Sequence, residues 1–126
     1  MEFKDNKPIY LQIVDICFHK VLKREWKEEE RIPSVRELAV GLEVNPNTVM
    51  RSYEYLQSED IIYSKRGMGY FARQGAYVRA LELQRKYFYE IDLVEIFNTM
   101  NLLDISVNDV VTAYNKQNNK QKNRIQ

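Results

Sequence analysis

The chain holds one cysteine and one histidine in 126 residues, and each scarcity excludes something. Cys17 has no partner for an intramolecular disulfide, and its place in an apolar stretch reads as a small core side chain rather than a reactive thiol. His19 lies within a helical stretch with no suitable partner in sequence, and no H-E-x-x-H or C-x-x-C spacing exists to hold a metal. Phosphate-cradling loops and nucleophile motifs are missing too, so neither an enzyme nor a cofactor is expected. No apolar run approaches the ~18–20 residues of a membrane span, and MEFKDNKPIY lacks the basic-then-apolar layout of a signal peptide; a cytoplasmic protein with no membrane partner is expected. Excess charge is also absent. The net charge is +1, and residues 1–73 carry 12 Lys/Arg against 12 Asp/Glu, so a nucleic-acid partner has to be met by local charge placement rather than bulk charge.

Aromatics, by contrast, are plentiful: nine Tyr and five Phe offer more apolar surface than one small core absorbs, which favours self-association. Pro8 opens a predicted helix through IYLQIVDICFHKVLKR, with an apolar stripe wide enough to pack on two sides. The polar stretch EWKEEERIPS reads as a connection, its acidic run Glu28–Glu30 as solvated rather than metal-binding. Ser34 and Glu37 then form a capping-box pair before Val35, Leu38, Ala39 and Leu42, predicting a short helix over 35–42.

Asn45 is a good N-cap and Pro46 a good first helical residue, so a third helix starts there, burying Val49, Tyr53 and Leu56. Short strands at 61–63 and 70–72 flank S-K-R-G-M-G. The expected fold is mainly α with a small β-hairpin: a winged helix-turn-helix over 1–73, then a two-helix dimerisation segment over 74–115 and a disordered polar tail over 116–126. In the second part, Ser106 and Asp109 form another capping box.

A helix that reads DNA buries one face and offers short polar and cationic groups on the other. Asn47 and Arg51 lie opposite the apolar stripe of the third helix, and Thr48 flanks them. Asn pairs with adenine, Arg with guanine, and a Thr methyl meets a thymine methyl. Arg36, in the first turn of the preceding helix, adds a second cation. Lys65, Arg66, Gly67 and Gly69 form a hairpin tip where two cations and close backbone approach suit phosphate or minor groove. In the C-terminal part, Tyr77, Leu81, Phe88 and Ile91, with Val107, Val110, Val111 and Tyr114, read as a dimer face. Tyr87, Phe88 and Tyr89 are the candidate lining for a small-molecule effector of unknown identity, against the commoner reading of such aromatics as core.

P-S-V-R-E-L-A (33–39), V-N-P-N-T-V-x-R-S-Y-x-x-L (44–56), R-G-M-G-Y-F (66–71) and P-I-Y-L-Q-I (8–13) resemble the GntR family of bacterial transcription regulators, and most closely its YtrA-like subgroup. The resemblance implies a homodimeric repressor binding a palindromic double-stranded operator, with Arg36, Asn47, Thr48, Arg51 and the wing residues Arg66 to Gly69 on the DNA. It also implies that residues 74–126 are too few for the large effector domains of other members. Two departures stand out: Met50 and Pro46 occupy positions where many members carry Arg. The rival reading is a winged helix that binds protein rather than DNA, favoured by Glu54 and the neutral charge.

Overall fold

The computed structural model describes Phe3 and residues 6–125, and the chain divides between Arg85 and Lys86 into two compact units. In the first, α1 (Ile9–Leu22) starts from Pro8 and buries Ile13, Val14, Cys17, Phe18 and Val21. The helix stops two residues short of the predicted end. Arg24 takes a left-handed conformation at φ +63°, and the reversed chain drops Trp26 into the core. Burial pushes the Cys17 thiol up to about 12, as befits a packing residue that stays protonated.

Helix α2 (Val35–Leu42) has the predicted bounds because its start is chemically local. The Glu37 N–H donates to Ser34 Oγ and the Ser34 N–H to Glu37 Oε1, both at 3.1 Å. Hydrogen bonding to the carboxyl from the Ser34 backbone N–H first, and then from the Ser34 side chain, holds Glu37 below its ordinary range. Glu43, left-handed at φ +57°, closes the turn, with Val44 N–H on Ala39 O at 3.0 Å. Helix α3 (Pro46–Ser58) follows at once, its start fixed by Asn45 Oδ1 accepting the Asn47 N–H at 2.8 Å.

Strands β1 (Ile62–Lys65) and β2 (Gly69–Ala72) pair antiparallel, with Tyr63 opposite Phe71 and Lys65 opposite Gly69. The segment before α2 adds itself to the outer edge of β2: Ile32 N–H donates to Tyr70 O at 2.9 Å and Ala72 N–H to Glu30 O at 3.1 Å. The predicted connection is therefore tied to the sheet edge through an isolated bridge of Arg31 with Phe71. Its acidic run is not simply solvated either. Glu29 accepts the Tyr63 hydroxyl at 2.8 Å and the Gln74 N–H at 2.9 Å, while Glu28 accepts the Gly75 N–H. These carboxylates sit at the start of α4 (Ala76–Tyr87), where the helix dipole favours negative charge.

Ala76 and Ala80 of α4 are fully buried in the first unit, and Arg79 pairs with Glu59 at the end of α3 at 2.9 Å. The first unit thus extends past the expected boundary at 73 to take in most of α4. In the second unit a π-helical turn over Phe88–Asp92 leads into α5 (Leu93–Leu102), and α6 (Val107–Ile125) follows. Ser106 and Asp109 exchange the expected capping bonds, at 3.0 and 3.1 Å. The tail expected to be disordered is helical through Ile125, because Lys, Gln and Arg are straight-chain helix formers whatever their polarity; Gln126 lies outside the described residues. Among the described residues no helix is long and apolar enough to cross a membrane.

Candidate nucleic-acid interface

Val49, Tyr53 and Leu56 hold α3 to the core with no exposed surface. Tyr53 is wedged between Trp26, edge-on at 6.2 Å, and Tyr70, at 4.9 Å, and its hydroxyl donates to Pro33 O at 2.6 Å. Burial pushes this phenol far up, so it is always a donor. Ser52, also buried, donates to Tyr10 O at 2.7 Å and Thr48 O at 3.1 Å. Four side chains therefore fix the rotation of α3, and what remains outside is determined by that rotation.

Asn47 and Arg51 stand exposed one helical turn apart, with Thr48 half-buried beside them. The Arg51 guanidinium lies 3.9 Å over the Tyr10 ring. Arg36 is exposed in the first turn of α2. Met50 is turned toward the hairpin, where its sulfur accepts the Tyr70 hydroxyl at 3.8 Å. Met50 thus links α3 to β2.

At the hairpin tip Met68 N–H donates to Lys65 O at 2.9 Å, and Gly67 takes the positive φ of +78° that a type II turn demands at its third residue. Arg66 is exposed at this tip. The Lys65 ammonium lies 5.0 Å over Phe71, which stacks on Tyr63 at 5.8 Å. Reading the sequence missed Arg31, whose neighbours were taken for a plain connection. Its exposed side chain covers Gly69, with Nε 3.2 Å from where a Cβ would stand. The only cue was a basic residue just before I-P-S, too slight to single out. Gly69 also has φ +104°. Gly69→Ala is therefore expected to destabilise the first unit by about 1–3 kcal/mol, with Gly67→Ala, which meets no neighbour, at the lower end. Urea unfolding midpoints of the two variants check this; a Gly69→Ala midpoint at or above that of wild type would contradict it.

Of the residues expected on the dimer face, Tyr77 is already engaged: it packs against the first unit's core beneath Arg24, 3.7 Å from the ring centroid. Leu81, Phe88, Ile91, Val107, Val110, Val111 and Tyr114 are all exposed, and among the described residues nothing in α5 or α6 is buried. Tyr87, Phe88 and Tyr89 are exposed as well.

Two helices joined by a tight turn, the second with one face in the core and Asn, Thr and Arg outside, followed by a basic-tipped hairpin, define a winged helix-turn-helix of the DNA-binding kind. The chain belongs to the GntR family: the family described as bacterial regulatory proteins, gntR family, matches residues 9–71. The HTH-type transcriptional repressor YtrA of Bacillus subtilis is 38% identical over 79 residues, 63% of this chain and 61% of that protein, which supports the YtrA-like subgroup. The chain thus spans about three-fifths of the length of that relative. A GntR-family structure from Bacteroides thetaiotaomicron is 42% identical with TM-score 0.72, covering 90% of this chain and 98% of that one. The DNA-binding domain of AraR, solved in complex with operator ORR3, is 25% identical with TM-score 0.51, covering 57% and 84%.

Proposed function

We propose that the chain is a homodimeric transcription repressor that binds a two-fold symmetric operator. The observation that carries the reading is the single exposed face of α3, where Asn47, Thr48 and Arg51 are set by a buried opposite face, with the Arg66 hairpin tip as wing. The repressor name of the Bacillus subtilis relative and the operator complex of AraR support it. Each α3 enters a major groove through Asn47, Thr48 and Arg51; Arg36 lies on the backbone at its edge; Lys65, Arg66, Gly67 and Gly69 follow the flanking backbone or minor groove. The uncovered apolar surface of α5 and α6 supplies the two-fold contact, and symmetric half-sites lie about one helical turn apart, roughly 10 base pairs.

Gel-shift titrations on the DNA upstream of the chain's own gene, at several salt concentrations, test this reading. Arg51→Ala is expected to weaken binding by about 1–3 kcal/mol and relax sequence preference. Arg66→Ala is expected to weaken all duplexes alike and reduce the salt slope by about one. No salt-dependent shift on any promoter duplex would instead favour a protein-binding winged helix.

A further inference from the structure

Two consecutive residues of α3 hold the same residue of α1. Ser52 Oγ donates to the Tyr10 carbonyl at 2.7 Å, and the Arg51 guanidinium lies 3.9 Å over the Tyr10 ring. Tyr10 is half-buried in the first turn of α1, so its ring is anchored at the backbone by the helix whose arginine it carries.

A guanidinium has all five N–H donors in its plane, and an aromatic face beneath that plane uses none of them. A carboxylate would have steadied the same side chain by taking a pair of its donors, and among the described residues Arg51 makes no ion pair. An unsupported arginine explores many rotamers and loses that freedom on binding. Stacked, it is ordered beforehand and its fork stays open for the two acceptors on a guanine edge.

We propose that Tyr10 is the positioning residue for Arg51, and that its ring sets how sharply the protein discriminates at the base pair Arg51 meets. The inference rests on the reading above, in which Arg51 faces DNA. It adds to the recognition surface a residue from the first helix that touches no base itself.

The test uses the full chain and a duplex selected by the wild-type chain from a randomised pool, with each base pair then replaced in turn. Arg51→Ala is expected to flatten discrimination at one symmetric pair of positions by roughly five- to 150-fold. Tyr10→Leu is expected to flatten the same positions by about two- to fivefold, the range of an exposed to partly desolvated cation–π contact. Tyr10→Phe keeps the ring and is expected to match wild type. In an Arg51→Ala background, Tyr10→Leu is expected to add nothing at those positions. Thermal unfolding monitors the fold, and Tyr10→Met gives the same readout if leucine packs poorly.

Uniform loss on every duplex, equal losses for Phe and Leu, or additive losses in the double variant would each overturn the role of the ring. Discrimination lost with Arg51→Ala but kept with Tyr10→Leu and Tyr10→Met removes the inference and leaves the reading of Arg51 standing. Discrimination untouched by Arg51→Ala removes both.

Discussion

Val111→Asp is expected to yield a folded monomer whose operator affinity falls by about 10²- to 10⁴-fold, the largest functional loss predicted for any single substitution here. Val107, Val110, Val111 and Tyr114 recur at i, i+3, i+4 and i+7 on α6, and Val111 is 48% exposed. Among the described residues of the second unit, none covers them. Two helices with no buried residue among those described do not offset the entropy of ordering their own chain, so this surface is stable only when something apolar lies on it. In the proposed homodimer a second copy supplies that surface by symmetry. A carboxylate there costs little in the monomer, where water reaches it, and a great deal in the dimer, where it is stripped of water unpaired. The first unit, which does not use Val111, keeps its unfolding transition. Sedimentation velocity on the variant is expected to give the mass of one chain. A mass of two chains, or a wild-type gel shift, would remove the face from the interface.

The second large effect concerns stability. Tyr53→Ala is expected to lower the unfolding free energy of the first unit by about 3–5 kcal/mol, a large share of the total for a small domain. Tyr53 is fully buried between Trp26 and Tyr70 and is the largest such side chain, so its removal leaves a cavity bounded by rigid rings that cannot close on it. Tyr53→Phe separates shape from polarity. It fills the space but leaves the Pro33 carbonyl without its phenol donor, at a cost of about 1–2 kcal/mol. Because that carbonyl precedes the Ser34 cap, the Phe variant loosens the entry to α2 as well. Urea titration resolves the two: both midpoints drop, alanine much further, at unchanged slope. A midpoint for Tyr53→Ala near that of wild type would sink this account of the core.

What could be read in advance was what is chemically local. The starts of α2 and α3 follow from Ser34 with Glu37 and from Asn45 with Pro46, groups within three residues of one another. The exposed face of α3 followed from those starts and a 3.6-residue period. The pairing of residues 30–32 with β2 could not be read, because β2 lies about forty residues on and Glu-Arg-Ile shows no alternation. For the same reason Glu28 and Glu29 passed for solvated charge: the N–H groups they hold are 47 and 45 residues away, respectively. The stack of Arg51 on Tyr10 spans 41 positions, and no periodicity within either helix announces it. The helical tail was misjudged on a different ground, polarity being taken for disorder where unbranched side chains still favour helix.

The π-helical turn at Phe88–Asp92 has a consequence for how this family member tolerates change in length. Such a turn closes its hydrogen bonds over five residues instead of four, and so absorbs one extra residue within an otherwise continuous helix. Every side chain from Leu93 to Leu102 is thereby turned by about 100° from where an uninterrupted helix would place it. Excising one residue inside the turn would let it close as regular α-helix and leave the same set of side chains facing outward from α5. Loss of a single codon is thus absorbed in this stretch, whereas the same loss a turn later, within α5, would rotate the remainder of that helix by about 100°.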